Sequence, residues 1–571
     1  MAWDGFTAWS WQLAVLLSLL VSLLVLRRII RPQGRWSRTL RERFLLGVPW
    51  GSILTIVGVL SVYLFVQGGF WHWDRPVTMA FTASSYLYPM GVLFAAFSHS
   101  HPGHLLNNLT SALVFAPLAE YVWGHYAHEG KATPDSRPAL ELRWTNPWIR
   151  AFVLFPGAIF LVGLATALFS WGPVIGFSGV VFAFMGFTLV HYPFLTIVAM
   201  VARRGVRALV NTLAEPVVVA ETTVEFAQPW WSGTAVQGHI LGFLIGILFG
   251  VLLAWRRNER PDPLELWIAS VLAGLWLSLW TFWWIRGPET FVLYGALGVI
   301  AVLALSLAIT VAVSATDRPI YGRITRRSAV VSILLALLVV MSLVAVPLNL
   351  VAVESDDRDR ALAVDEYTVF YTEETEDKRV SYVDLTLFGE TTDLTTSGVI
   401  VVNENRHTWH RALSADELRA YGDARVTVGG LGWQSIVDVD RTGWDVAGNE
   451  TAYHVHLEHE GERVHAFESG SVEAEPIVDD RRIALVAEGG EFSLEVEHDG
   501  TVERAPIPDE NELVTANEIA FVRENGAIVA ESGETRVTVA ERETYDDDEP
   551  PDENGDRLRV EDRPASITNT S

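Results

Sequence analysis

Apolar residues run almost unbroken through stretches centred near Ile53, Leu109, Phe152, Val180, Ile245, Leu275, Val299 and Leu335. Several approach the roughly 20 residues that a helix needs to cross about 30 Å of hydrocarbon, so the pattern predicts a multispan α-helical membrane protein. A further run over 11–30 is followed, not preceded, by Arg27, Arg28, Arg31, Arg35, Arg38, Arg41 and Arg43. A secretory signal has the opposite order, and this run therefore reads as an uncleaved first span with its N-terminus outside. Beyond residue 351 the pattern changes. Short alternating or β-branched runs at 399–402, 425–428, 451–457, 482–486 and 535–539, separated by Gly, Asn and Asp, predict strands of a β-sandwich-like domain.

Arginine clusters at 27–43, 256–260 and 318–327 mark cytoplasmic loops. Between Arg43 and Arg256 five clear runs, near 57, 113, 160, 185 and 246, give an odd number of crossings between two cytoplasmic ends. A sixth span must therefore lie between Pro193 and Trp230, in a weak segment 193–220 interrupted by Arg203, Arg204 and Arg207. Runs at 264–285, 290–313 and 329–350 complete ten spans and leave residues 352–571 outside. The expected organisation is an N-terminal span and basic segment (1–47), a membrane core (48–256) and three additional helices (257–351). An acidic extracytoplasmic β-rich domain (352–544) and an acidic tail (545–571) follow.

Composition sharpens this division. The net charge of −26 is carried largely by residues 352–571, and Lys131 and Lys378 are the only lysines. That balance resembles proteins of salt-loving archaea, whose acidic surfaces hold water and oppose association. No strongly basic stripe exists outside the membrane-flanking arginines, which argues against a nucleic-acid partner. The chain has no cysteine, so disulfides, thiolate metal sites and cysteine nucleophiles are excluded. Asn449-Glu450-Thr451 and Asn569-Thr570-Ser571 are glycosylation acceptor patterns.

Three segments carry candidate chemistry. In Gly176-Phe177-Ser178-Gly179, Ser178 begins a helix whose N-terminal partial charge favours a developing alkoxide. In Gly238-His239-Ile240-Leu241-Gly242, His239 leads a face continued by Gly242, Gly246 and Gly250, a stripe that permits close helix contact. Gly179 and Gly186 offer a complementary small surface on the facing helix. A packing serine and a structural histidine are the bland alternatives. The third segment contains His99, His101, His104, Asn107 and Asn108. His104 and Asn108 are four apart on one helix face, and both can donate hydrogen bonds, as an oxyanion hole requires. A zinc site at His99, His101 and His104 is disfavoured because no carboxylate stands near and Pro102 disturbs the spacing.

The order H-x4-H-x3-N, G-x-S-G and G-H-x2-G-x3-G resembles the rhomboid family of intramembrane serine proteases over about residues 48–256. The resemblance implies a six-helix core that cleaves transmembrane segments of membrane proteins within the lipid bilayer, without cofactor or metal. By matching position Ser178 is the nucleophile and His239 the general base. His104, Asn108 and the Ser178 backbone N–H bind the oxyanion. His99 matches an additional histidine that often precedes the motif, and Glu120 an acidic residue near the inner end of the same helix. Gly176, Gly179, Gly242 and Phe182 support the pair. Phe182 stands where members often carry a tyrosine, and Trp71-His72-Trp73-Asp74-Arg75 only loosely replaces a Trp-Arg pair of the first external loop. The implied location is a multi-pass cell-membrane protein with its active site and C-terminal domain outside. The rival readings are a catalytically silent rhomboid-like protein that binds membrane segments, and a transporter using Glu120, His191 and Arg203. Substrate identity and oligomeric state are not encoded in these motifs.

Overall fold

The computed structural model describes residues 8–30, 35–124, 146–214, 229, 235–285, 290–315, 319–321, 324–350, 352–353, 360–378, 386–387, 390–391, 394–448 and 450–545. The tail beyond Tyr545, Asn449 and Asn569-Thr570-Ser571 lie outside them. The chain forms two compact units, one built from 1–223 and 228–351 with 430–432, the other from 352–429 and 433–571 with 224–227.

The first unit is a bundle of helices: α1 (Ala8–Ile30), α2 (Arg35–Arg43), α3 (Trp50–Val66), α4 (Pro89–Ala95), α5 (Pro102–Trp123), α6 (Pro147–Phe169), α7 (Ser178–His191) and α8 (Pro193–Ala214), then α9 (Val236–Arg257), α10 (Pro263–Trp276), α11 (Gly295–Ser314) and α12 (Arg326–Asn349). Among the described residues, α1, α6, α9, α11 and α12 are long and apolar enough to cross a membrane. The last turn of α3 (Val62–Val66) and the stretch Arg150–Leu154 of α6 widen to π-helix. Proline opens α4, α5, α6, α8 and α10, where its missing N–H costs no helical bond. The weak segment with three arginines is helical, and α8 ends at Ala214.

The run at 264–285 differs from expectation. Helix α10 stops at Trp276, Ser278 takes a left-handed conformation (φ 57°), and strands β1 (Trp283–Ile285) and β2 (Phe291–Leu293) form a small antiparallel hairpin. A continuous apolar run has no period, and period is what separates strand from helix. The turn is held by close packing, since the Trp280 carbonyl lies against Gly298, where a methyl group would stand 1.7 Å away.

The buried face of the bundle is one apolar cluster that includes Phe115, Phe177, Val181, Phe184, Phe243, Ile247 and Val302. Arginines tie off one end of it. Arg257 donates to the carbonyls of Val122 and Trp123 at 2.7 and 3.1 Å, and Arg150 to Trp123 at 2.9 Å, so two cations cap the C-terminus of α5. At the same end buried Glu120 accepts from the Ser52 hydroxyl and backbone N–H at 2.7 and 2.8 Å, and from Gly51 N–H at 3.2 Å. The carboxylate thereby satisfies the free donors at the start of α3.

The second unit is β-rich. After the short hairpin β3 (Pro319–Tyr321) and β4 (Ile324–Thr325) of the bundle, strands run from β5 (Leu362–Val364) and β6 (Tyr367–Glu376), through the two-residue pair β7 (Thr386–Leu387) and β8 (Glu390–Thr391), to β9 (Thr395–Asn403), β10 (Thr408–Ser414) and β11 (Asp423–Gly430). They continue as β12 (Trp433–Val446), β13 (Glu450–His459), β14 (Glu462–Glu468), β15 (Gly470–Glu473), β16 (Arg482–Glu488), β17 (Glu491–His498), β18 (Thr501–Pro506), β19 (Leu513–Ala516), β20 (Ile519–Glu524), β21 (Ala527–Ser532) and β22 (Thr535–Arg542). All five runs read as strands in the sequence fall within strands. A large sheet in the order β14-β13-β12-β22-β21-β20-β19, with β11 beside β12, faces the sheet β15-β16-β17-β18. Their inner faces share a core of Trp444, Leu485, Leu494, Val496, Phe521 and Ile528, which makes this part a sandwich.

Candidate active site

Helices α7 and α9 meet along their glycines. A methyl group at Gly242 would stand 2.1 Å from the Gly179 carbonyl oxygen, one at Gly246 2.0 Å from that of Ala183, and one at Gly186 2.3 Å from that of Phe243. Only glycine permits this approach from both sides. The contact aligns the first residue of α7 with the first turn of α9, and there Ser178 Oγ lies 2.9 Å from His239 Nε2. Phe182, one turn after the serine, stacks on the imidazole with ring centroids 4.2 Å apart and planes 8° from parallel. Among the described residues His239 has no carboxylate partner. The ring is held by the serine, by Phe182 and by helix packing.

The segment before Ser178 is fixed by a second set of contacts. Gly176 donates its N–H to the Ala95 carbonyl at 2.8 Å, and Phe177 N–H to His99 Nε2 at 3.4 Å. His99 is itself clamped by Gln67, whose amide oxygen accepts from the His99 N–H at 2.8 Å and whose amide nitrogen donates to the His99 carbonyl at 2.7 Å. Gly176 has φ +120°, and a methyl group there would lie 2.7 Å from His104 Nε2 and 3.6 Å from Asn108 Nδ2. The backbone two residues before the serine thus lies directly on both residues. His104 Nδ1 pairs with the Ser100 hydroxyl at 3.0 Å, which turns Nε2 toward this segment. Asn108 is buried, and its Nδ2 has no protein hydrogen-bond partner. A buried amide donor without a partner costs on the order of 1–3 kcal/mol, and this one lies against the segment that leads into Ser178.

A cavity of about 30 Å³ opens beside the pair, lined by Ala95, Thr166, Ser170, Gly176, Ser178 and His239 among others. It has room for a water molecule, which needs at least roughly 10–15 Å³, and is far too small for a peptide. Its far wall is braced by residues not singled out in the sequence. Gln237 joins the start of α9 to the end of α6 through the Phe169 carbonyl (2.9 Å) and Trp171 N–H (3.1 Å). Asn349, at the end of α12, donates its side-chain amide to the carbonyls of Leu168 and Ser170 at 3.4 and 3.0 Å, while its backbone carbonyl accepts from Tyr86 N–H at 2.8 Å. In sequence these are single polar residues at the ends of apolar runs, and only their position beside Gly-His or at a span terminus distinguishes them.

Several other polar residues of the membrane part make contacts away from this pair. His101 caps α5 by accepting from His104 N–H at 3.3 Å. His191 pairs with Glu259 at 2.7 Å, and Arg203 donates to Asn107 at 2.8 Å. Glu120, His191 and Arg203 each serve a different helix contact and define no common path. Trp73 of the first loop is held by Tyr63 in the last turn of α3, whose hydroxyl donates to the Trp73 carbonyl at 2.5 Å and whose ring packs edge-on against the indole.

The fold and site define a membrane helix bundle with a serine–histidine pair at the ends of two interlocked helices. Residues 145–256 match the family model of the Rhomboid domain. The match spans α6 to α9 and so includes Ser178 and His239, while α5, with His104 and Asn108, lies before it. The Rhomboid family consists generally of intramembrane serine proteases, and the several apolar helices here fit a multi-pass membrane protein. No curated protein and no solved structure matches the chain.

Proposed function

We propose that this chain is a rhomboid-family intramembrane serine endopeptidase that cleaves transmembrane segments of other proteins. The observation that carries the reading is the 2.9 Å contact between Ser178 Oγ and His239 Nε2, formed within the matched segment at the start of two glycine-locked helices.

On this reading His239 Nε2 takes the Ser178 proton as Oγ attacks the substrate carbonyl. The oxyanion is met by Asn108 Nδ2, His104 Nε2 and the Ser178 N–H at the helix start. The imidazolium returns its proton to the leaving amine, and water in the cavity beside Ser178 then hydrolyses the acyl-enzyme with His239 again as base. A helical substrate hides its carbonyls in backbone bonds, so cleavage favours segments with small or helix-breaking residues. The bundle must also part to admit it, given the size of the cavity.

The arginines that cap α5 support the orientation. His104 and Trp123 lie 19 residues apart on one helix, about 28 Å at 1.5 Å per residue. That is close to a hydrocarbon thickness and separates the site from Arg150 and Arg257. Positive residues favour the cytoplasmic side, which supports a site at the outer side. The chain leaves the bundle after Asn349 at the site's own end, so the proposal puts residues 352–571 outside as well. The core is 48–256, with α10 to α12 as additions to it.

The reading is tested by reconstituting the protein in liposomes with tagged single-span substrates and comparing it with Ser178→Ala. Specific cleavage by wild type, absent in the variant, is the expected result. Cleavage that persists in Ser178→Ala would sink this nucleophile, and binding of substrates without cleavage by wild type would establish the silent alternative.

A further inference from the structure

A cluster of three histidines and a glutamate lies on the edge hairpin β13–β14 of the β-rich unit, remote in function from the serine–histidine pair. His454 and Glu468 are direct cross-strand partners, as are His456 and His465. Residues 465 and 468 are three apart and in a regular strand would point to opposite faces. A register shift between the two partner pairs, where Ala466 is the extra residue, brings both to the same face. Bulges of this kind re-aim side chains and recur beside functional sites.

The contacts within the cluster are close. His465 Nε2 lies 2.9 Å from His454 Nδ1, and His465 Nδ1 lies 3.7 Å from Glu468 Oε2. One donor atom from each of the three residues falls within 4.8 Å of the other two. His454 is 1% exposed and turns its other nitrogen, Nε2, to the Glu491 carbonyl at 3.2 Å. His456 stacks on His465 with centroids 5.0 Å apart, and its buried Nδ1 has no protein hydrogen-bond partner.

We propose that His454, His465 and Glu468 form a zinc-binding site of the β-rich unit, with His456 as a further nitrogen donor beside it. Two zinc–nitrogen bonds of about 2.0–2.1 Å at the tetrahedral angle set their nitrogens roughly 3.3 Å apart, close to the observed separation of the two imidazoles. Glu491 holds the His454 hydrogen on Nε2, so the hydrogen between the two rings belongs to His465, and it moves from Nε2 to Nδ1 when the metal takes that position, leaving both imidazoles neutral. The outer contacts also fit. A ligating histidine characteristically donates its second N–H to a carbonyl or carboxylate, and His454 does so to Glu491. Imidazole and carboxylate together, with no thiolate available in a cysteine-free chain, suit zinc.

Arg360 is the group that opposes the site. Its guanidinium pairs with Glu468 Oε1 at 2.5 Å, and Gly489 N–H donates to Oε2 at 2.9 Å. Zinc therefore competes with Arg360 for this carboxylate, while the Gly489 contact ties the site to the turn between β16 and β17. The metal would fasten an edge strand of the large sheet to the opposing sheet.

The test uses the full-length, untagged protein in detergent, stripped with a chelator and titrated with zinc alone. Metal content after desalting and calorimetric affinity are the readouts. The expected result is one equivalent of zinc, at least tenfold weaker binding in His465→Gln, and tighter binding in Arg360→Ala. Because His454 is in the core, His465→Gln is the working variant, and unchanged thermal unfolding of its zinc-free form shows that it folds. Absence of a stoichiometric equivalent, or binding indifferent to both substitutions, would overturn the proposal and leave a neutral hydrogen-bonded histidine network.

Discussion

On the proposed reading, Asn108 and Ser178 are single side chains made ready for a reacting group. The serine has a base at 2.9 Å and stands at a helix start, whereas Asn108 holds a buried amide with no protein acceptor. Donors aimed at developing negative charge are worth about 10²–10³ in kcat each. Asn108→Ala is therefore expected to lower kcat by that factor with the Ser178–His239 contact intact, as measured by turnover of a reconstituted single-span substrate. A kcat within threefold of wild type would remove Asn108 from the oxyanion hole. Ser178, His239, His104 and Asn108 were legible in the sequence because each lies beside glycine or at helical spacing from a second polar residue. Gln67, Gln237 and Asn349 were not. Their importance comes from which carbonyl they meet across the bundle, and a polar residue at a span end looks alike whether or not such a partner exists.

At the scale of elements, the pair depends on how closely α7 and α9 approach. A side chain at Gly246 meets the Ala183 carbonyl, a backbone atom that cannot swing aside. Gly246→Val should force the helices apart, and a displacement of about 1 Å at a reacting pair costs on the order of 10² in rate. The expected outcome is a comparable fall in cleavage together with a lower melting temperature. Gly205→Ala on α8, where nothing lies within 4 Å, should change neither. Equal activity of Gly246→Val and wild type would show that the tight crossing does not position the serine. Most helices could be read from hydropathy alone, and the glycine stripe foretold which two would interlock. The hairpin after Trp276 could not be read, because an aromatic apolar run satisfies strand and helix equally and the choice was made by packing of Trp280 on Gly298.

For the whole molecule the division of charge matters most. Residues 352–571 hold 53 of the 68 acidic residues but only 19 of the 42 basic ones. Surface pairs such as Arg504 with Glu488 and Glu495, or Arg536 with Glu524 and Glu531, are exposed and contribute about 0–1 kcal/mol each. Even if every basic residue found a partner, most carboxylates would remain unpaired, so repulsion outweighs attraction in this unit and salt should stabilise it by screening. Unfolding of the β-rich unit, followed by circular dichroism, is expected to shift to higher temperature as sodium chloride rises from about 0.1 to 2 M, which shortens the Debye length from about 10 Å to below about 3 Å. A falling midpoint would mean that the ion pairs dominate. The membrane unit, whose core is apolar, should respond much less. The central claim remains that Ser178 is a nucleophile activated by His239, and the most direct measurement is labelling of the purified protein in detergent by a fluorophosphonate probe. The account predicts labelling of wild type that is lost in both Ser178→Ala and His239→Ala; a folded wild type that does not label, or label retained in Ser178→Ala, would contradict it.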